Sequence, residues 1–285
     1  NRFLIIPRHA YETIFSSKLF TAFFVLCFLP LLLEAIFIYL HHNYTALTIM
    51  EFTVRDLIPI DNSFFRFWAY LQGVLAFFMA VLIGPPLVAR DLRNNALPLY
   101  LCRPFSRTEY VMGKMSVILI LLSMITWMPQ LLLFLFQSYL QGFAWFKANL
   151  WIGGAIFLGN IVWILLLALL TQTISALVKW RVVASGLMLG LFIVPSAFAE
   201  FINFVFQTRW GSLLSLSALV KSVTDGLFGL HERVFRTVQF RDFDDVREIL
   251  LVEPPLWCSW TVLFLVCAIC LAVLSWKVKA YEVVK

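Results

Sequence analysis

Few residues in this sequence have the types and spacing that catalysis or metal binding requires. His231 and Glu232 begin the pattern of a zinc protease, but no second histidine follows four residues after the first. Asp242, Asp244 and Asp245 supply carboxylates for a Ca²⁺ or diphosphate site, or form a solvated acidic face. Enzymatic chemistry in this chain would therefore be that of a hydrolase or transferase acting through these three carboxylates.

The run from Gly113 to Ser116 resembles only the tail of a nucleotide-binding loop. The glycine that should precede it is missing, and the run leads into an apolar stretch instead of following a buried strand. We therefore expect no ATP site, no metal and no other cofactor in this chain.

Composition places the chain in a membrane. Hydrophobic residues make up 62% and charged residues 13% of its 285 residues, and the mean hydropathy is +0.90. This balance excludes an ordinary soluble domain. Since about 20 apolar residues cross a bilayer, we predict one all-α membrane domain over 1–285 with six spans: 19–40, 68–88, 111–136, 150–178, 182–206 and 257–276.

The distribution of Lys and Arg predicts the orientation. Thirteen of the 22 lie in short segments on one side of the predicted spans, and the other nine share the opposite side with most of the acidic residues. By the positive-inside rule, both termini are cytoplasmic in a multi-pass protein of the cell membrane. The net charge of +6 follows from these flanking residues, so we expect no nucleic-acid partner.

The predicted spans have no clear ionisable residue near their midpoints. Glu34 and Glu200 fall toward the outer ends of spans one and five, where we expect their carboxylates to reach water. Asn160, Ser123 and Thr126 lie nearest to mid-depth, and hydrogen bonds between helices explain them more economically than a substrate site.

Two further segments are predicted to be amphipathic. Residues 3–17 mix charged and apolar side chains and should form a helix in the inner interface; the alternative is a frayed tail. In the outer segment, 207–256, apolar residues recur every three or four positions up to Leu227, which indicates a helix that ends near Gly226 or Gly229. The remainder, 231–253, is charged, and we expect it to be exposed.

The loop between spans two and three carries the most specific pattern. Gly84, Pro85 and Pro86 should disrupt the end of span two, and Asn94 or Asn95 should cap a short helix that ends before Arg103-Pro104. This short helix would present apolar side chains to the cytoplasm, which suits a docking partner. Alternatively, it packs on its own helices while its arginines bind lipid headgroups.

A capping box, Ser106-x-x-Glu109, starts the helix that follows this loop. The succession of an Arg90-Asp91 pair, a capped helix, Arg103-Pro104-x-Ser106-Arg107 and Tyr110-x-x-Gly113-Lys114 resembles the permease subunit of ABC transporters of the ABC-2 (type V exporter-like) superfamily. The resemblance extends to the interfacial helix, the six spans and the outer helices. The family often has glycine around Asn95, and asparagine tolerates the same left-handed conformation.

The resemblance implies a transport subunit, not an enzyme, whose helix 94–101 is the coupling helix. Two separate ATP-binding subunits would hydrolyse ATP with Mg²⁺, and a second permease chain, identical or related, would complete the transporter. The implied ATPase contacts are Arg90, Asp91, Arg93, Asn94, Asn95, Leu97, Leu99, Tyr100, Leu101 and Arg103. The implied connecting helix carries Arg8, Tyr11, Glu12 and Phe15, and Gly186 with Gly190 would pack at the dimer seam or path.

From these features we expect ATP-driven export or movement of an amphiphilic substrate. Two other functions remain open at the level of sequence. One is an intramembrane hydrolase or transferase that uses the outer aspartates, and the other is a membrane scaffold subunit that transports nothing.

Overall fold

The fold is a helical bundle, taken from a computed structural model that describes residues 11, 14–43, 59–93, 107–178, 180–230, 236–241, 246–251 and 253–277. Within these ranges, six helical stretches are long and apolar enough to cross a membrane, in agreement with the six predicted spans. The helices are α1 (Lys18–Leu26), α2 (Leu29–His42), α3 (Asn62–Arg93), α4 (Arg107–Ile125), α5 (Trp127–Gln141), α6 (Phe143–Leu177), α7 (Arg181–Phe206), α8 (Leu216–Leu227) and α9 (Leu256–Lys277).

Helix α6 is the most buried span and lies at the centre of the bundle. It packs most extensively on α3 and also contacts α4, α5, α7, α8 and α9. The main core cluster joins residues of α1, α3, α4, α6, α7, α8 and α9, and a second cluster rich in aromatic rings fills the space where α2, α3, α5 and α6 approach α8. We call this side of the molecule the α8 end.

Spans one and three each consist of two helices. Span one breaks at Cys27 and Phe28, two residues before Pro30, and span three breaks at Thr126, three residues before Pro129. Proline has no N–H to continue the helical hydrogen bonds, so each break leaves backbone carbonyls without their usual donors. In a bilayer, water cannot replace those donors.

Helix α3 corrects one expectation, because it continues without interruption through Pro85 and Pro86 to Arg93. Proline 85 cannot donate to the Val81 carbonyl, but the hydroxyl of Ser185 in α7 donates to that oxygen at 3.2 Å. Ser175 of α6 donates to the Gly84 carbonyl, also at 3.2 Å. Side chains of two neighbouring spans thus support the helix where the sequence suggested that it would end.

The outer segment consists of a 3₁₀ turn at Trp210–Leu214, helix α8 and a β-hairpin. The buried face of α8 carries Leu216, Leu219, Val220 and Val223, and Gly229 follows with a positive φ of 67°. Strands β1 (Arg236–Arg241) and β2 (Val246–Leu251) pair antiparallel with Arg236 opposite Leu251. The bundle is all-helical as expected. The hairpin was not predicted, because the charged residues of this segment indicated only exposure.

Gly84 provides a test of how closely α3 and α6 pack. A Cβ atom at this position would lie 2.5 Å from the Cβ of Thr171. We expect Gly84→Ala to lower the free energy of unfolding by about 1–3 kcal/mol, because the packed helices would have to separate. Thermal unfolding of the purified chain in detergent measures the change.

Gly154→Ala is the matched control, since a Cβ there meets no atom within 4 Å. Alanine at this site in α6 should be neutral or stabilise by about 0.5–1 kcal/mol, because it restricts the unfolded chain more than glycine does. Equal effects of the two substitutions would show that the close approach at Gly84 does not limit stability.

Candidate functional site

A buried amide on α3 joins three spans. The Nε2 atom of Gln72 donates to the Cys27 carbonyl at 3.0 Å and also to the Ile125 carbonyl. Cys27 lies at the break in span one, and Ile125 is the carbonyl that Pro129 leaves without a helical donor. One side chain therefore satisfies backbone groups at both breaks.

Two further amides extend this arrangement. Gln130 of α5 donates to the Phe65 carbonyl of α3 at 3.1 Å, and Asn160 of α6 donates to Oε1 of Gln130, also at 3.1 Å. The interhelical bond expected of Asn160 is thus confirmed. The expectation for Thr126 is wrong, because its hydroxyl bonds the Leu122 carbonyl one turn earlier in the same span.

The α8 end is held together by polar contacts between α3 and the outer segment. Arg66 Nε lies 2.5 Å from Asp225 Oδ1, and Asn62 Nδ2 donates to the Phe228 carbonyl at 2.7 Å. Ser215 caps α8 by accepting a hydrogen bond from the Ala218 N–H at 3.2 Å. The first two bonds join α3 to α8 and to the residue that follows it, and the third caps the start of α8.

Beneath α8 lies a cavity of about 450 Å³ between α3, α6 and α7. Its wall is mostly apolar and includes Val74, Phe77, Trp163 and Phe192. The indole Nε1 of Trp163 donates to the Gly73 carbonyl at 2.8 Å, so the ring is held in place by its polar atom while its apolar surface faces the cavity.

The mouth of the cavity is polar. Arg66, Asp225 and Lys221 line it, and Lys221 is exposed and forms no ion pair with any described residue. Two cations and one carboxylate leave a formal charge of +1 at the mouth. Tyr70 and Ile193 also line the cavity and are more than half exposed, so it opens sideways between α3 and α7.

Three serines meet where α7 approaches the start of α8. The Ser196 hydroxyl lies 2.7 Å from that of Ser215 and 3.1 Å from that of Ser217, and the last two are 2.9 Å apart. No imidazole or carboxylate of the described residues hydrogen-bonds to them. A serine nucleophile needs such a base, so this arrangement is suited to binding polar groups.

The expectation that the Glu34 carboxylate reaches water is wrong. Its side chain is 0% exposed, and neither carboxylate oxygen has a hydrogen-bond partner among the described residues. The reason is periodicity, because Glu34 lies on the same face of α2 as the buried Leu31 and Ile38. Glu200, in contrast, is exposed.

Most residues of the predicted ATPase contact lie outside the described part of the chain. Asn94, Asn95, Leu97, Leu99, Tyr100, Leu101 and Arg103 are in this group, as are Arg8 and Glu12 and the outer aspartates Asp242, Asp244 and Asp245. Arg90, Asp91 and Arg93 belong to the last turns of α3. Tyr11 packs against the main core, where burial raises the pKa of its phenol, and Phe15 is exposed with its ring 5.1 Å from that of Phe20.

Gly186 and Gly190 face open space. A Cβ atom at either glycine would meet nothing within 4 Å. The glycines form the floor of a groove of about 590 Å³ along α7, bordered by Val183, Leu187 and Val194. Within the described residues, the structure therefore brings no partner to the predicted packing site.

Sequence reasoning predicted an interhelical bond for Asn160 but missed the contacts of Gln72 and Gln130, and it missed the cavity. The signal for the amide contacts was present, since Gln72, Gln130 and Asn160 are amides in otherwise apolar spans, each within reach of a proline break or of another amide. The cavity depends on how four helices meet, and periodicity along one helix carries no signal for it.

Comparison with protein-family models finds no match, and comparison with curated proteins finds none either. Among the described residues, no group of three or more His, Cys, Asp or Glu side chains is placed to hold a metal ion.

The role of Gln72 is tested together with Pro129, the residue that leaves the Ile125 carbonyl without a helical donor. Gln72→Leu should lower the free energy of unfolding by about 1–3 kcal/mol, because it leaves two buried carbonyls without this donor. In a Pro129→Ala background, residue 129 regains its N–H and can donate to Ile125. The cost of Gln72→Leu should then fall by about 0.5–1 kcal/mol in a double-mutant cycle.

Gln141→Leu, at the exposed end of α5, is the control and should change the unfolding midpoint little. Unfolding in detergent, followed by intrinsic fluorescence, gives all four corners of the cycle. An additive cycle would refute the pairing of Gln72 with the proline break.

Proposed function

We propose that this chain is the membrane-spanning permease subunit of an ABC transporter of the ABC-2, exporter-like type. In this proposal, residues 94–101 form the coupling helix that binds a separate ATP-binding subunit, which supplies ATP hydrolysis and Mg²⁺. Both termini and the coupling helix lie in the cytoplasm. Two permease chains and two ATPase chains form the transporter in the cell membrane.

The continuity of α3 carries the proposal. Helix α3 crosses the membrane and continues as one helix to Arg93, directly before the proposed coupling helix. At about 1.5 Å per residue, the stretch from Gly84 to Arg93 adds roughly 14 Å of helix beyond the span. A displacement of the loop by the ATPase would therefore be transmitted along a rigid element.

The contacts of α3 indicate where this displacement would act. Near Gly84 it packs against α6 and α7 through Ser175 and Ser185, and at the other end Arg66 bonds Asp225 of α8. A tilt of α3 would change the separation of the helices around the cavity. We infer that loop movement opens or closes this space to an amphiphilic substrate.

The exposed groove on α7 supports a second permease chain. Small residues permit close approach of two membrane helices. Gly186 and Gly190 are one helical turn apart, and a Cβ atom at either would meet no described residue within 4 Å. We propose that this groove packs against the partner permease.

Coupling is tested by copurification. The chain, isolated from its native membrane, should retain a nucleotide-binding protein. Tyr100→Asp or Leu101→Asp should lower the copurified ATPase rate about tenfold, because each introduces a charge into an apolar contact. Tyr139→Asp is the control, since Tyr139 is 84% exposed at the α8 end of the bundle. A chain that purifies without an ATPase, or equal losses in all three variants, would exclude the proposal.

The groove is tested by substitution with leucine. Gly186→Leu and Gly190→Leu should reduce the dimeric fraction in lipid nanodiscs, corresponding to about a tenfold weaker association. Gly154→Leu serves as the control, because Gly154 is also an open glycine in a span but lies outside the groove. Cross-linking with mass analysis measures the fraction. If the dimer survives both groove substitutions, the seam lies elsewhere.

A further inference from the structure

The cavity beneath α8 has an apolar wall and a charged mouth. Phe77, Trp163 and Phe192 surround its interior, whereas Arg66, Lys221 and Asp225 line the mouth. Its volume, about 450 Å³, is within the range of small-molecule sites, roughly 300–1,000 Å³. A ligand that satisfies both regions needs an apolar body and a polar end.

The length of the cavity suits an acyl chain. It extends along α3 from Arg66 to Phe78, which is roughly 18 Å of helix at about 1.5 Å per residue. This exceeds half of the hydrocarbon thickness of a bilayer, which is about 30 Å in total. A chain of the adjacent leaflet could therefore lie in the cavity over its length.

The cavity also has a route of entry from the bilayer. Tyr70 and Phe78 of α3 and Ile193 of α7 line it and are exposed on the surfaces of membrane-spanning helices. Molecules already dissolved in the bilayer can reach the cavity between these helices without passing through water. A lipidic ligand is favoured over a water-soluble one.

Charge determines the headgroup. Arg66 is engaged by Asp225 and lies 5.9 Å from the centre of the Tyr70 ring, whereas Lys221 makes no ion pair with the described residues. The formal charge of +1 at the mouth attracts an anion. The Ser217 hydroxyl, also at the cavity, can donate to a headgroup oxygen, whereas the hydroxyls of Ser196 and Thr224 donate to the Phe192 and Val220 carbonyls of their own helices.

We propose that this cavity binds a single-chain amphiphile with an anionic head, with the head at Lys221 and Arg66 and the chain against Trp163 and Phe192. The site is complete within one copy of the chain and lies on the opposite side of α7 from the glycine groove. Binding at this site requires no ATPase partner, so it can be tested independently of the proposed transport function.

Calorimetric titration of the purified full chain in a non-ionic detergent tests the headgroup. The probes are a monoacyl glycerophosphate and the monoacyl glycerophosphocholine of the same chain length. We expect the anionic probe to bind about tenfold more tightly, and Lys221→Glu to remove this preference. Lys221→Arg should retain it. Lys147→Glu makes the same change of charge on an exposed lysine of α6 outside the cavity and should leave both affinities unchanged.

Substitutions that fill the cavity test the position of the chain. Val74→Trp, inside the cavity, and Ile193→Trp, at its side opening between α3 and α7, should each weaken the binding of both probes about tenfold, because they remove the space for the acyl chain. Leu132→Trp is the control on an exposed position of α5 away from the cavity. The unfolding midpoint of each variant reports whether it is folded, and Ile193, which is 62% exposed, should tolerate the larger ring if Val74 does not.

Three results would overturn the proposal. Equal affinity for the two probes would exclude an anionic preference, and an equal loss with Lys147→Glu would show that general surface charge attracts the probe. Unchanged affinity in folded Val74→Trp and Ile193→Trp variants would show that the chain binds elsewhere. None of these results depends on whether an ATPase copurifies.

To separate a bound bilayer lipid from a transported molecule, lipids are extracted from the purified chain and analysed by mass spectrometry. One anionic amphiphile per chain, retained in the wild type and lost in Lys221→Glu, identifies a lipid taken from the membrane. An empty wild-type site that still binds the added anionic probe about tenfold more tightly than the choline probe identifies a site for a transient ligand. Both results support the binding site. An empty site that shows no such preference contradicts it.

Discussion

The backbone carbonyls of α3 and of the spans beside it need hydrogen-bond donors that water cannot supply inside a bilayer. Prolines remove helical donors at Pro129 in span three and at Pro85 in α3, and in each case a side chain of another span takes their place. Gln72 donates to the Ile125 carbonyl, and Ser185 donates to the Val81 carbonyl. The remaining architecture depends on these side-chain hydrogen bonds, because each one fixes the depth at which two helices meet. Moving either helix along its axis by one turn would leave a buried carbonyl without its donor.

Helix α3 makes contacts near both ends of the molecule. From Arg66 to Arg93, α3 covers roughly 40 Å at about 1.5 Å per residue. Side-chain donors from three other helices bond its carbonyls at Phe65, Gly73, Val81 and Gly84. Because α3 is one continuous helix over this length, a force on the end beyond Gly84 would be transmitted along it toward the ion pair with Asp225. This mechanical property gives the transport proposal its physical basis, whatever the substrate.

Composition alone predicted the six spans, because the hydrophobic length needed to cross a bilayer is a property of each segment by itself. Predictions that depended on neighbouring helices were less successful. Pro85 and Pro86 were expected to end α3, but the donor that preserves the helix comes from α7, far along the sequence. The position of Glu34 near the outer end of span one predicted that its carboxylate reaches water. That prediction used only the depth of the residue, whereas Leu31 and Ile38 at helical spacing place Glu34 on the buried face of α2. The hairpin of β1 and β2 was hidden by its charged residues, since charge suggested exposure and carried no information about strand pairing.

Helix α7 separates two surfaces that would otherwise compete for the same partner. Residues at helical spacing, including Ser185, Phe192 and Ser196, face α3, the cavity and α8, while Gly186, Gly190 and Val194 lie along the open groove. A ligand on the first side and a second chain on the second side could thus bind at the same time. They would still influence each other, because both contact a single helix that is only lightly buried in the bundle. A shift of α7 toward α3 would narrow the opening at Ile193, and a shift away would widen it. If both proposals hold, packing of a second chain in the groove would change access to the cavity through the position of α7, without any contact between the chain and the ligand.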